Sequence, residues 1–270
     1  MNSQYDKTQF TWRPLLSLVQ REFVRFYRQR SRVIGSLAAP LIFWFFLGSG
    51  LSAAFPTPAM PGGKGYLEYF FPGILLMTIL FASIFANISV IEDRHEGFLQ
   101  SVMVAPVSRF ALVGGKVFGG ALISMVQGVL FLCLAPLAGF SLSFAGFVLT
   151  LATLLLLSLM LAALGFIFAW KLDSVQGFHS IMNLVLFPMW LLSGSFFPLA
   201  GAPVWLRPIM YANPLTYGLA ALQKSLYLSN PKYPSSAGLG TAIGISVAFG
   251  AFFYLVSIWA VNQQSAELAT

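Results

Sequence analysis

The hydrophobic pattern of this chain consists of long apolar runs separated by short polar segments. Five runs contain no Asp, Glu, Lys or Arg: residues 33–63, 69–91, 117–170, 174–206 and 233–266. A membrane-spanning helix needs roughly 20 apolar residues, so each run can hold one such helix and the third run can hold two. The pattern therefore predicts six transmembrane helices.

The predicted spans cover residues 33–55, 70–91, 117–136, 144–170, 181–197 and 238–261. Residues 136–141, with the sequence PLAGFS, supply the turn that divides the third run. Lipid offers the backbone no hydrogen-bonding partner, and the runs lack the alternating pattern of a membrane barrel. The predicted fold class is therefore an all-α polytopic membrane protein.

Composition agrees with this prediction. The chain is 58% hydrophobic, and its mean hydropathy of +0.81 indicates more apolar surface than one water-soluble core could bury. This disfavours the alternative that the apolar runs are buried helices of a soluble protein. The single cysteine, Cys133, excludes an internal disulfide and is expected to pack inside a helix.

The distribution of Lys and Arg predicts the orientation. With the amino terminus in the cytosol, the outer side carries only four of these residues: Lys64, Arg207, Lys224 and Lys232. The other eleven fall on the cytosolic side, so the positive-inside rule places both termini, including the tail of residues 263–270, in the cytosol. We expect a multi-pass protein of the bacterial cytoplasmic (inner) membrane. The net charge of +7 then serves anchoring and topology, and no nucleic-acid partner is expected.

The amino-terminal region of residues 1–32 contains a predicted amphipathic helix over residues 11–32. On a helical wheel, Arg21, Arg25, Arg28 and Arg32 form one narrow stripe. The opposite side is apolar and contains Trp12, Leu15, Leu16, Val19, Phe23 and Phe26. This pattern predicts a helix on the cytosolic membrane surface, with its arginines toward anionic lipid. Packing of the aromatic face against a soluble partner is the alternative.

A dense charged cluster follows the second predicted span. Glu92, Asp93, Arg94, His95 and Glu96 are consecutive, although only 9% of the chain is charged. Acidic residues favour a helix amino terminus, and apolar residues follow at helical spacing: Phe98, Leu99, Val102 and Met103. The spacing predicts a short cytosolic helix over residues 92–106, ended by Pro106. An ordinary solvated loop is the plain alternative.

Three stretches, in this order, resemble a known family. They are EYFFPGI at residues 68–74, EDRHEGFLQSVMVAPVSRFALVGGK at residues 92–116, and LLSGSFFPLAGAPVWLRPIMYANPLTYGLAAL at residues 191–222. With six spans around them, they are similar to the membrane subunits of ATP-binding-cassette (ABC) exporters of the type 2 permease class. The likeness extends over nearly the whole chain.

The resemblance implies a division of labour between subunits. Two permease copies, most simply a homodimer, would form the pathway, and two cytosolic ATPase subunits that bind ATP and Mg would drive it. The second stretch would be the coupling helix, with its contact residues at Glu92, Asp93, Arg94, Glu96, Gly97 and Phe98. The charges would orient the ATPase and Phe98 would fill a pocket in it, whereas His95 has no assigned role.

The chain itself is not expected to be an enzyme. A phosphate-binding loop of the form G-x-x-x-x-G-K-[ST] is absent from the sequence, and the strings GGKG at Gly62 and GGKV at Gly114 do not supply one. We expect no catalytic residue, metal site or cofactor in this chain. An intramembrane enzyme is the least favoured alternative, because the only two histidines, His95 and His179, do not lie among acidic residues inside a span.

The segment between the fifth and sixth spans is apolar but repeatedly interrupted by proline. This predicts short re-entrant helices over residues 198–222, which the resemblance identifies with an outer gate. The candidate gate residues are Pro198, Pro203, Trp205, Pro208, Asn213, Pro214 and Tyr217. An ordinary outer loop resting on the membrane is the alternative.

Small residues four apart predict close helix packing at Gly115 and Gly119, and again at Gly240, Gly244 and Ala248.

The function that unites these features is the permease half of an ATP-driven exporter for a hydrophobic or amphipathic substrate, such as a drug, lipid or glycolipid. A proton-coupled secondary transporter is the second hypothesis. It is disfavoured because the predicted spans carry no formal charge and show no inverted repeat.

Overall fold

We describe the chain from a computed structural model, over residues 12–54, 65–104, 108–228 and 235–267. Six helices in these ranges are long and apolar enough to cross a membrane, which confirms the predicted number of spans. They are α2 (Arg30–Ala54), α3 (Tyr66–His95), α5 (Arg109–Leu132), α6 (Phe144–Lys171), α7 (Val175–Trp190, continued by a π-helical turn at Leu191–Ser195) and α10 (Leu239–Glu267).

Shorter helices flank the spans. They are α1 (Trp12–Arg28), α4 (Phe98–Val104), α8 (Arg207–Ala212) and α9 (Pro214–Leu226), with 3₁₀ turns at Ala135–Ala138 and Leu199–Gly201. The first of these turns lies in the PLAGFS region, where Gly139 has a φ of 92°. The turn predicted between the third and fourth spans is therefore confirmed.

Helix α3 is the centre of the bundle. It packs against α2, α5, α6 and α7, and nearly all of its side chains between Tyr66 and Ile91 are buried. Helix α10 packs on α6 and α9 at the periphery, and α1 lies along α5. The outward faces of α2 and α10 remain apolar, with Phe45, Phe46 and Trp259 all more than half exposed. Such surfaces are stable only against lipid or another apolar surface.

The structure corrects the bounds of two predicted elements at the end of the bundle that carries α1, called the charged end below. The predicted helix of residues 92–106 does not begin at the acidic cluster. Instead, α3 continues through Glu92 and Asp93 to His95, and the separate helix α4 begins only at Phe98. Helix α5 begins at Arg109, eight residues before the predicted span, and therefore includes Lys116. Ion pairs described below explain both differences.

Gly97 provides the break between α3 and α4. Its φ of 74° lies in the left-handed region, which side chains with a Cβ rarely adopt. The backbone N–H of Glu96 donates to the carbonyl of Glu92, and that of Gly97 donates to the carbonyl of Arg94, so the last turn of α3 closes before the chain reverses. The helix break therefore requires glycine at this position.

The amino-terminal helix is also shorter than predicted. Helix α1 ends at Arg28, and Arg32 belongs to the start of α2, after a break at Gln29. Other predicted features lie outside the described residues: residues 1–11, the end of the first span at residue 55, Pro106, and the final residues of the tail, 268–270.

Candidate functional site

Helix α1 docks on α5 through the predicted glycine seam. A methyl group at Gly115 would lie 2.6 Å from Cβ of Leu18, and one at Gly119 would lie 2.9 Å from Cβ of Glu22. Only glycine permits this approach of the two helices. The predicted packing at Gly115 and Gly119 is confirmed. At Gly240 and Gly244, by contrast, a methyl group would meet no atom of the described chain within 4 Å.

Docking brings Glu22 to a buried lysine. The Nζ atom of Lys116 donates to Oε1 of Glu22 at 2.7 Å, and also to Oδ2 of Asp93. The side chains of Lys116, Glu22 and Asp93 are 1%, 3% and 0% exposed, respectively. A buried charge is tolerated only when it is paired, because the low-dielectric interior penalises an isolated ion. Pairing explains why α5 can contain Lys116 within its length.

Three arginines join this buried core of charges. Arg21 donates to both carboxylate oxygens of Asp93, each at 2.7 Å. Arg25 donates to Asp93, to Glu92 at 3.1 Å and to Glu96 at 3.0 Å. Arg32 donates to Glu92. We call this set the charge cluster; it consists of Arg21, Glu22, Arg25, Arg32, Glu92, Asp93, Glu96 and Lys116.

The charge cluster is electrically balanced, because it contains four cationic and four anionic side chains. The hydrogen bond to Asp93 raises the pKa of Arg21 above its ordinary value, despite the opposing effect of burial. The cluster also explains the bounds of α3. Carboxylates are unfavourable at a helix carboxyl terminus, and the cations of α1, α2 and α5 offset that cost for Glu92 and Asp93.

Arg94 connects the same end of α3 to α6. Its guanidinium donates to the carbonyl oxygens of Ala169, Trp170 and Leu172 at 2.9, 2.8 and 2.5 Å. These are carbonyls at the end of α6 that lack an intrahelical partner, so Arg94 acts as a cap. Next to it, Nε2 of His95 lies 2.6 Å from the carbonyl oxygen of Asp173. Sequence reasoning left His95 without a role, and the structure places it at the α6–α7 junction.

The predicted coupling residues therefore fall into two groups. Glu92, Asp93 and Arg94 bind elsewhere within the chain, and Asp93 is fully buried. The Glu96 side chain is 58% exposed, and among the described residues its carboxylate accepts a hydrogen bond from Arg25. Phe98 lies under Arg21, whose Cζ is 3.8 Å from the ring centroid. The contact role of these residues with an ATPase stays a prediction.

Helix α4 presents a surface next to Glu96. Leu99 is 2% exposed and Val102 packs against the core, whereas Ser101 faces outward. His95, Glu96 and Ser101 are exposed and Gly97, at the turn between them, is partly buried; we call these four residues the coupling tip. The tip is attached to α1 through the contact of Glu96 with Arg25, and its chain neighbours Phe98 and Arg94 contact Arg21 of α1 and the end of α6, respectively.

Sequence reasoning missed Glu22 and Lys116 as members of the site. The signal was present, because Glu22 is the only acidic residue among the arginines of α1 and Lys116 follows two glycines that allow close approach. The arginine stripe was interpreted as a lipid contact. In the structure Arg21, Arg25 and Arg32 bind carboxylates, whereas Trp12 and Leu16, at 68% and 62% exposed, form an apolar outer surface of α1.

The predicted gate residues lie at the opposite end of the bundle. Asn213 and Pro214 are buried, and Asn213 caps α9 by accepting a hydrogen bond from the backbone N–H of Leu215 at 3.0 Å. Pro203, Trp205 and Pro208 are exposed, Pro198 is partly buried, and the hydroxyl of Tyr217 donates to the carbonyl of Tyr211. The segment consists of short broken helices, and its role as a gate stays a prediction.

Two of the three resemblance stretches meet at this end. The indole of Trp190 donates to the carbonyl of Gly73 at 2.7 Å, and the hydroxyl of Tyr69 donates to the carbonyl of Gly194 at 2.9 Å. Gly194 has a φ of 98°, and a methyl group at Gly73 would lie 2.7 Å from Cβ of Ser195. Hydrogen bonds therefore hold the bend after α7 against the amino-terminal end of α3.

Comparison with known proteins agrees with this architecture. The family model of the ABC-2 type transporter matches residues 13–227. The inner membrane transport permease YadH of Escherichia coli strain K12 is 24% identical over 264 residues, covering 95% of this chain and 97% of YadH. A transport permease of Cyanophora paradoxa, ycf38, is 28% identical over 211 residues, covering 77% of this chain and 72% of ycf38. YbhR of the same E. coli strain bears the name of a probable multidrug ABC transporter permease. It is 25% identical over 158 residues, which cover 58% of this chain and 42% of YbhR.

Proposed function

Because this chain belongs to the ABC-2 type transporter family, we propose that it is the permease subunit of an ABC exporter for a hydrophobic or amphipathic substrate. Cytosolic ATPase subunits would bind ATP and Mg and supply the energy. The charged end would face the cytosol, and the membrane would be the inner membrane, as the name of YadH states for that relative. The chain itself would be non-catalytic.

The connection of the coupling tip to the spans carries this proposal. A force applied at the tip reaches α1 through Arg25, α5 through Asp93 and Lys116, and α6 through Arg94. The buried pair of Asp93 and Lys116 is a stiff connection, because breaking it would leave a buried charge unpaired. An ATPase that moves the tip would therefore move several spans as one unit.

The apolar character of the spans supports the proposed substrate class. YbhR, one of the relatives, is named for multidrug transport, and drugs of that kind are commonly amphipathic. The large apolar faces of α2 and α10 leave room for the second permease copy of a homodimer. The dimer would be detected as a doubled protein mass by light scattering in detergent.

The test is assembly with the ATPase. We would co-express the tagged chain with each candidate ATPase subunit of its source genome and identify the one that co-purifies. Ser101→Trp places a bulky side chain on the exposed coupling tip, so we expect at least an approximately ten-fold loss of co-purified ATPase. Gln263→Trp is the matched control, because Gln263 is also exposed near the charged end but lies outside the tip.

ATP hydrolysis provides the second readout. The purified chain alone should hydrolyse no ATP, and the complex should show hydrolysis that lipophilic substrates stimulate. Equal retention of the ATPase by Ser101→Trp and Gln263→Trp would contradict the proposed coupling surface. Hydrolysis by the chain in the proven absence of any ATPase subunit would contradict the division of labour.

A further inference from the structure

A cavity of about 620 Å³ lies at the end of the bundle opposite the charge cluster. It lies between the bend that follows α7 and one face of α9. Its polar lining includes Tyr69, Ser193, Arg207 and Gln223, and its apolar lining includes Leu199 and Leu219. This volume is in the range of pockets that hold small ligands.

Gln223 is the most informative residue of the lining. Gln223 is on α9 and only 7% exposed as a residue, and its side chain lines the cavity without a hydrogen bond to any other group of the described residues. Other polar side chains of α9 are satisfied, since Thr216 donates to the carbonyl of Met210 and Ser225 to that of Leu222. The side-chain amide carries both a donor and an acceptor, and a ligand with hydroxyl groups would offer partners to both.

Arg207 makes the cavity suitable for an anion. Its Nε donates to the carbonyl of Ala202 at 3.0 Å, and its Nη2 donates to that of Ala200 at 3.3 Å. These two bonds orient the guanidinium and leave its other N–H groups without a partner among the described residues. The described lining contains no acidic side chain to neutralise Arg207. Guanidinium forks of this kind recognise phosphate and carboxylate oxygens.

The surroundings indicate that the anion belongs to an amphiphile. Pro198, Leu199 and Leu219 provide apolar walls beside Arg207. Near the cavity, Trp205 and Tyr211 are 70% and 49% exposed, as aromatic residues are at the level of lipid head groups. A soluble anion such as inorganic phosphate would gain nothing from these walls, whereas a phospholipid would place its glycerol backbone and acyl chains along them.

We propose that this cavity binds the head group of an anionic phospholipid from the adjacent leaflet. The phosphodiester would accept hydrogen bonds from Arg207, and hydroxyl groups of the head group would exchange hydrogen bonds with Gln223. This site is separate from the coupling tip and does not depend on ATP. It can therefore be tested without the ATPase, and its failure would leave the proposed transport function untouched.

The experiment is a lipid titration of the purified full chain in detergent, measured by native mass spectrometry. The probe is dioleoylphosphatidylglycerol, and the comparison lipid is dioleoylphosphatidylcholine. We expect the wild type to bind the anionic lipid about ten-fold more tightly, and Arg207→Gln and Gln223→Leu each to remove most of that preference. The control is Lys224→Gln, which removes a charge from the residue next to Gln223 that does not line the cavity.

A variant that fills the cavity without disturbing the fold tests whether a loss of lipid preference comes from the site itself and not from misfolding. A methyl group at Gly201, in the cavity lining, would meet no atom within 4 Å, so Gly201→Leu should fold normally and block the site. All variants should keep the wild-type melting temperature in the absence of added lipid. Unchanged lipid preference in Arg207→Gln and Gly201→Leu, or an equal loss in Lys224→Gln, would overturn the proposal. Displacement of the lipid by glycerol phosphate at equal concentration would also overturn it, because a free phosphoester would then be the ligand.

Discussion

At the scale of single residues, Asp93 shows how a transmembrane helix can end in charge while remaining packed. Its carboxylate is fully buried and accepts hydrogen bonds from Arg21, Arg25 and Lys116. Three donors from two other helices compensate the loss of hydration that burial imposes on the charge. Asp93, one of the six residues that the resemblance assigned to ATPase contact, therefore connects α3 to α1 and α5 within the chain.

Replacement of Asp93 tests this assignment. Asp93→Asn removes the negative charge and leaves Lys116 with Glu22 as its one carboxylate partner among the described residues, so we expect a loss of about 3 kcal/mol of stability. Asp173→Asn is the matched control, because the Asp173 side chain is 93% exposed and its ion pair with Arg94 is worth little. Thermal unfolding in detergent measures both. Equal melting temperatures for the two variants would show that the buried network contributes nothing.

At the scale of elements, α4, with 7 residues, is too short to be stable alone, and α1, with 17 residues, gains most of its stability from its contacts. Helix α1 is held by Leu15 and Leu18 against the glycines of α5 and by its arginines against the end of α3. Helix α4 is held by Leu99 in the core and by Phe98 under Arg21. The amphipathic helix, the coupling tip and the start of α5 therefore form one assembly.

A pair of glycine substitutions separates close packing from helix propensity. Gly115→Ala places a methyl group 2.6 Å from Cβ of Leu18, so α1 must move away from α5 and stability should fall by about 1–3 kcal/mol. Gly244→Ala meets no neighbour and should be neutral or raise stability by about 0.5–1 kcal/mol, because alanine favours a helix. Limited proteolysis of α1, together with thermal unfolding, measures the difference. Protection of α1 in Gly115→Ala equal to the wild type would contradict the docking.

At the scale of the whole molecule, the bundle has two chemically different ends. The charge cluster and most of the arginines lie at one end, whereas the opposite end has broken helices, exposed aromatic residues and the cavity beside Arg207. The Lys and Arg distribution predicts that the charged end lies in the cytosol, and this orientation stays a prediction.

Cysteine labelling in intact cells tests the orientation. Cys133 is exposed, contrary to the expectation that it packs, so Cys133→Ser is the starting background. In this background, a membrane-impermeant maleimide should label Trp205→Cys from outside, because Trp205 is 70% exposed. It should label Ser101→Cys only after the membrane is opened. The reverse pattern would invert the topology.

The sequence by itself determined the elements whose signal is local. Six spans, the turn near Gly139 and the broken helices around Pro208 follow from apolar runs and their breakers, because desolvation of the backbone and proline geometry act within a few residues. The presence of an amphipathic helix before the first span was also readable, from its 3.6-residue period.

Only the tertiary structure decided how the charges are used. Arg21 and Asp93 are 72 positions apart, and no pattern within either segment specifies that they meet. Pairing depends on the close approach of α1 to α5, and it determines where α3 ends and how far α5 extends. The same holds for Gln223, which lines the cavity only because α9 lies beside the bend after α7. The physical reason is that the energy of a charged or polar group depends on its neighbours and its burial, which are properties of the packed fold.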